Sequence, residues 1–189
     1  MTDVWSLRAQ AYVESDAHRQ GEDLDRLVAW AEGARTALDV ATGGGHVARR
    51  LREAGLEVVT TDAAPGRRPD VICPAESLPF ADASFDVVAC RTAAHHFDDV
   101  HAAVREMARV ARDRVLLVDT VNMGDAAEEA EKLRDPSHVR NYAEAEWRQL
   151  VLAALSSRRP SPGSTPEARK QRPYAPKGKK FDEALQSWK

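Results

Sequence analysis

Cysteine is scarce in this chain: Cys73 and Cys90 are the only two among 189 residues. Each falls inside a short apolar segment, without the histidine cluster that a zinc site needs, so neither a disulfide framework nor a structural zinc centre is available. Both read as reduced, mostly buried small hydrophobes. Long hydrophobic runs are missing too. No stretch approaches the roughly 18 apolar residues of a membrane span, and Asp3, Arg8, Glu14, Asp16 and Arg19 stand where a signal peptide would be apolar. The expectation is a soluble, cytoplasmic protein. With 43% hydrophobic residues the chain can bury a core of one ordinary domain.

The near balance of charge, −3 overall, hides an asymmetry. Residues 156–189 hold nine Lys or Arg against three acids, a balance of +6 that leaves −9 for the rest. An acidic body is not built for nucleic acid. The basic segment contains five prolines and no apolar alternation long enough for a strand. We therefore expect a domain over residues 1–155 and a flexible, basic, Pro-rich tail over 156–189, ending in a short helix near Phe181 to Trp188.

From Leu38 onward, β-rich runs alternate with helical patterns: Ala37 to Ala41, His46 to Ala54, then Leu56 to Thr61. This is the rhythm of a parallel sheet with crossover helices. Further strands are expected over Asp70 to Cys73, Phe85 to Cys90 and Arg114 to Val121, with a helix over Val100 to Arg112 between the last two. Asp23 to Glu32 repeats apolar residues at helical spacing and predicts an N-terminal helical cover. The short Ala-Ala-Pro-Gly-Arg-Arg-Pro link after Asp62 is too rich in Pro and Gly for a crossover helix, so one connection shrinks to a loop. The fold class is α/β, a Rossmann-like, doubly wound, mostly parallel sheet.

The strongest chemical signal is Leu38-Asp39-Val40-Ala41-Thr42-Gly43-Gly44-Gly45-His46-Val47-Ala48, a strand ending in glycines that turn directly into a helix. Gly43 and Gly45 allow close backbone approach to a ligand, and Ala48 allows the helix to pack on the strand. The spacing alone also suits a nicotinamide-dependent dehydrogenase. Asp39 shifts the balance. An acid inside the first strand has no role for a pyrophosphate, but it can anchor, directly or through water, the ammonium of a bound amino acid, a group present in S-adenosylmethionine and absent from NAD. The next strand ends at Asp62, placed to accept from two ribose hydroxyls, or else to cap the following turn.

On these residues the chain, from about Gln10 to Leu155, resembles the class I S-adenosylmethionine-dependent methyltransferases, in particular the type 11 group that includes quinone-biosynthesis C-methyltransferases. The resemblance implies that the glycine-rich turn holds the methionine part, Asp62 the ribose, and Ala75-Glu76, ahead of Leu78-Pro79-Phe80, the adenine. The implied cofactor-facing residues are Asp39, Ala41, Gly43, Gly44, Gly45, Asp62, Ala63, Ala75, Glu76 and Arg91. Ser84 to Phe97 resembles the family's fourth strand and active-site loop, which places Arg91, His95 and His96 where cofactor and substrate meet. A neutral imidazole there can orient a substrate hydroxyl or take its proton; the alternative is that the histidines cap or pack the next helix. Tyr12 and His18, in a segment similar to the group's cofactor cover, are implied on the substrate side, and Leu133 to Arg140 with Glu146-Trp147 resembles a segment over the substrate.

Three departures stand out. The Asp-Ala expected before Leu-Pro-Phe is Pro74-Ala75 here, and the Pro-Gly-Gly turn before the fifth strand is Ala111-Arg112-Asp113. The antiparallel hairpin that closes the family's sheet is not recognisable after Leu155. The sequence thus predicts an S-adenosylmethionine-dependent methyl transfer to a small-molecule acceptor by in-line displacement, without a metal. The competing readings are a degenerate binding module without activity and, less well supported, a dehydrogenase. The acceptor atom and the oligomeric state are not legible.

Overall fold

The computed structural model describes residues 21–157. Tyr12, His18 and nearly all of the predicted tail, including any closing hairpin, lie outside the described residues. Five strands form one sheet in the order β3-β2-β1-β4-β5: β1 Thr36–Val40, β2 Glu57–Asp62, β3 Val71–Ile72, β4 Phe85–Arg91 and β5 Ala111–Val118. Every pairing is parallel. The chain steps outward from β1 to β3, then returns to place β4 on the other side of β1. That reversal opens a crevice at the carboxyl ends of β1 and β4, where doubly wound sheets bind ligands.

Side-chain alternation divides the core into two layers. On one face Leu38, Val40, Val88 and Cys90 pack with Val100, Val104 and Met107 of α3 (Val100–Val110) and with Leu150 and Ala154 of α5 (Glu144–Ser156). On the other, Ala37, Val87 and Ala89 meet Leu24 and Leu27 of α1 (Glu22–Trp30) and Val47 and Leu51 of α2 (His46–Glu53). The N-terminal helical cover is therefore present as α1. Trp147 packs against the first layer beside Tyr142, with ring centroids 4.9 Å apart. α4 (Asp125–Arg134) buries none of its residues. No helix among the described residues is long and apolar enough to cross a membrane.

Two boundaries differ from the sequence expectation. The helix expected through Arg112 stops at Val110, and the strand expected from Arg114 to Val121 begins at Ala111 and ends at Val118. The cause is local. Ala111 is small and buried and pairs with Phe85, while Arg112 reaches Asp86 at 2.5 Å, so the chain becomes extended immediately and a bulge absorbs the extra residue before Arg114. Where the resemblance implies a Pro-Gly-Gly turn, this chain joins helix and strand directly. The strand expected over Asp70 to Cys73 shortens to Val71–Ile72, because the Asp70 carboxylate bonds the Thr60 N–H and hydroxyl instead. The link after Asp62 is a loop with one 3₁₀ turn at Pro65–Arg67.

Candidate functional site

The site is built where β1 breaks. Ala41 leaves the strand with φ 53°, Gly43 follows at 53° and Gly45 at 74°. Three left-handed residues within five fold the chain back on itself, and the alanine carries a steric cost that the glycines avoid. The loop is then clamped from both neighbouring strands. Thr42 N–H donates to the Thr61 carbonyl at 2.9 Å, and Gly43 N–H donates to Asp62 Oδ2 at 3.0 Å.

Asp39 is 1% exposed. Its Oδ2 accepts both the Thr42 hydroxyl at 2.6 Å and the Ala48 N–H at 3.1 Å, so one carboxylate oxygen ties strand, loop and first helical turn together. Burial pushes its pKa up to about 6, against the lowering effect of those two donors. Asp62 works similarly at the end of β2: Oδ2 takes Gly43 N–H and Oδ1 takes Ala64 N–H at 2.9 Å. It is thus a turn cap. Each oxygen retains a second lone pair, so capping does not exclude a ligand.

A cavity of about 290 Å³ lies over these strand ends. Asp39, Ala41, Gly43, Gly44, Asp62, Ala63, Ala75, Glu76, Arg91 and His96 all line it. Residues from four separate predicted segments therefore meet on one wall. Gly45 and His95 are not part of the lining; Gly45 is the hinge into α2, and His95 sits behind the wall. Sequence reasoning missed Thr42, Arg67, Thr92, Phe97 and Asp98, which also face the cavity. Thr92 had a signal only in three dimensions. It has φ 52° at the exit of β4, rare for a β-branched residue, and its N–H donates to the Val118 carbonyl at 2.7 Å. Adjacent strands β1 and β4 thus both end in a left-handed non-glycine residue.

Arg91 is anchored to the N-terminal cover, its Nε 2.5 Å from Asp23 on α1. Burial raises Asp23, but Arg91 outweighs it and holds the carboxyl below its ordinary range. His96 is held neutral, since burial and then the neighbouring His95 push its pKa down. Burial also pushes the Cys73 thiol up to about 11, which leaves it a protonated wall residue with little nucleophilic character. Among the described residues no group of His, Cys, Asp and Glu is arranged to hold a metal ion.

The wall suits a cationic ligand: the carboxylates Asp39, Asp62, Glu76 and Asp98 outnumber Arg67 and Arg91, beside apolar Ala63, Ala75 and Phe97. A sulfonium with an ammonium and an adenine face matches that donor set, so the residues present fit S-adenosylmethionine.

Comparison with known proteins gives the same class. Residues 38–118 match a family described as methyltransferase domain. The chain is 36% identical over 174 residues to the uncharacterized methyltransferase YcgJ of Bacillus subtilis, covering 79% of this chain and 68% of that protein. The crystal structure of YcgJ superposes with a TM-score of 0.64 at 34% identity, over 70% of this chain and 67% of the other. A demethylmenaquinone methyltransferase of Renibacterium salmoninarum is 38% identical over 100 residues, 46% of this chain and 42% of that enzyme. A SAM-dependent methyltransferase from Archaeoglobus fulgidus shares the fold, with a TM-score of 0.64 at 17% identity over 80% of this chain and 74% of the other.

Proposed function

Because this chain belongs to the methyltransferase-domain family and is an S-adenosylmethionine-dependent methyltransferase, we propose that it methylates a small protic acceptor, with His96 taking the proton that the acceptor loses. The observation that carries this reading is the meeting of Asp39, Asp62, Glu76 and His96 on one cavity wall at the point where the strand order reverses. Asp39 would hold the ammonium and Asp62 the ribose hydroxyls. Glu76 and Ala75 would flank the adenine, Glu76 supplying the carboxylate that Pro74 does not. Gly43 and Gly44 would let the backbone lie close to the amino-acid part, with Ala41 and Ala63 as small neighbours.

When bound, S-adenosylmethionine supplies an electrophilic sulfonium methyl whose thioether departs without needing a proton. What remains for the protein is position, dryness and one proton. Phe97 and Ala75 give the wall an apolar stretch that would help to keep water from the reacting atoms. With the cofactor bound, transfer would be an in-line displacement in which the acceptor heteroatom takes the methyl from sulfur and gives up its proton to His96, whose lowered pKa leaves it neutral and able to receive. Calorimetry with S-adenosylmethionine and its demethylated product, followed by a methyl-transfer screen of phenols, alcohols and quinols, tests the reading. Binding with transfer to a hydroxyl is expected. No binding on folded protein would end the cofactor assignment, and transfer that persists at full rate in His96→Gln would end the role of His96.

A further inference from the structure

His95 does not line the cavity, yet bonds from two other segments of the chain converge on it. Asp119, one residue past β5 and 1% exposed at its side chain, grips it twice. Oδ2 accepts the His95 backbone N–H at 3.0 Å, and Oδ1 lies 2.5 Å from Nδ1. A carboxylate only accepts, so Nδ1 of His95 carries the ring proton. The His95 carbonyl accepts the N–H groups of Val139 and Arg140 at 3.0 and 3.1 Å, which fastens the segment between α4 and α5 to the 3₁₀ turn at Ala94–His96. That segment brings the Ser137 carbonyl to 3.0 Å from His96 Nδ1. A carbonyl also only accepts, so His96 carries its proton on Nδ1, and in the neutral ring the lone pair sits on Nε2. The two rings touch, with centroids 4.0 Å apart.

We infer that Asp119 is a positioning residue: acting through His95, it sets the turn and the Ser137 carbonyl so that His96 is fixed as the Nδ1–H tautomer, with Nε2 as the proton acceptor. This rests on the reading of His96 as the base and narrows the methyl acceptor to a group with a removable proton, a hydroxyl first. The arrangement resembles other carboxylate–imidazole pairs, in which the acid orients a ring and selects its tautomer without itself gaining the proton. The difference here is that the oriented ring works at one remove, through the backbone it anchors. The same segment is also held from α4, by Glu128 accepting from His138 Nε2 at 3.1 Å and from Asn141 N–H at 3.2 Å, with the His138 ring centroid 5.5 Å from that of His95 and 6.2 Å from that of His96, so Glu128→Gln measures how far loosening the segment alone moves the pair.

The test is a long-range proton–nitrogen correlation spectrum of the full chain labelled on histidine. In the wild type, His95 and His96 are both expected as Nδ1–H tautomers; an Nε2–H tautomer at His96 overturns the inference without any variant. In Asp119→Asn one carboxylate oxygen becomes an NH₂, so whichever way the amide turns either the backbone N–H or the Nδ1–H of His95 loses its acceptor, the turn is released on that side, and His96 should lose the dominance of its Nδ1–H form. In His95→Asn the new amide N–H occupies the place of Nδ1–H, and His96 should keep its wild-type tautomer. Glu128→Gln should also keep it. An unchanged His96 in folded Asp119→Asn, a changed one in His95→Asn, or equal changes in Asp119→Asn and Glu128→Gln would each refute a specific positioning role. If Asp119→Asn does not fold, the wild-type and His95→Asn spectra decide. The spectra need no methyl acceptor, so a base role disproved by His96→Gln kinetics would leave the tautomer result separately readable.

Discussion

Replacing Asp39 by Asn should make the protein more stable and a worse cofactor binder. The carboxylate is fully buried, and burial lifts its pKa from 3.8 to about 6. At 1.36 kcal/mol per unit, an ionised Asp39 costs the folded state about 3 kcal/mol. The sign follows from the direction. A folded-state pKa above the unfolded value means that the folded protein prefers the proton, so the penalty is absent below about pH 4 and complete above about pH 6. Asn carries no charge, and its single oxygen can still accept both Thr42 and Ala48, because both donors converge on one oxygen of Asp39. The weaker neutral bonds and a new amide NH₂ return part of the gain. A net stabilisation of about 1–2 kcal/mol near pH 7.5 is expected, a Tm rise of roughly 2–8 °C for a chain of this size. The ammonium of the cofactor would lose a charged partner worth about 1.5–3 kcal/mol, so Kd should rise roughly 10- to 150-fold. Wild-type affinity should also fall as pH drops through about 6, where Asp39 protonates, and the variant should lack that step. Thermal melts and calorimetry between pH 5 and 8 check all three. A lower Tm would mean that Asp39 is a structural anchor above all, and an unchanged Kd would place the ammonium elsewhere.

Asp62→Ala should weaken cofactor binding by about 1–3 kcal/mol and lower Tm as well, since Gly43 and Ala64 lose their acceptor; a lower Tm with an unchanged Kd would make it a cap alone. His96→Gln should reduce kcat roughly 10²- to 10⁴-fold while leaving cofactor Kd within about twofold, as expected for a group that acts on the acceptor; equal losses in both would mark it as cofactor-binding. Thr92→Gly relieves a left-handed β-branched residue and should leave stability unchanged or raised by up to about 1 kcal/mol. A loss of more than about 1 kcal/mol on denaturant titration would show that Thr92 side-chain contacts outweigh the strain.

The sheet was readable because parallel strands buried on both faces leave continuous Val, Leu and Ile runs, and the helices between them keep a 3.6-residue period. What escaped was set by partners distant in sequence. Nothing in Ala111-Arg112-Asp113 announces an immediate strand; the stop comes from Phe85 and Asp86 on the neighbouring strand. Similarly, Asp70 looks like the first residue of a strand until Thr60 claims its side chain. The helices α4 and α5 are weakly amphipathic in sequence, and only α5 finds buried positions, Leu150 and Ala154.

The site divides in the same way. Asp39, the glycines and Asp62 were legible because what they do in the fold is local: each lies in or just beyond a strand end, and the backbone break it serves is written beside it. The histidine pair was legible as a pair but not as two unlike residues. Adjacent positions on a 3₁₀ turn point in different directions, so only one imidazole could line the cavity, and the choice fell to His96. What makes the other useful lies 24 residues away at Asp119 and, through the His95 carbonyl, at Val139 and Arg140. A sequence can suggest which side chains have the chemistry for proton transfer, whereas the tautomer that permits it is set by acceptors such as the Ser137 carbonyl, supplied by a backbone that any residue type provides. Ser137→Ala gives up the hydroxyl's bond to Asp135 but keeps the backbone bond to it and the carbonyl, so it should move the His96 tautomer less than Asp119→Asn does.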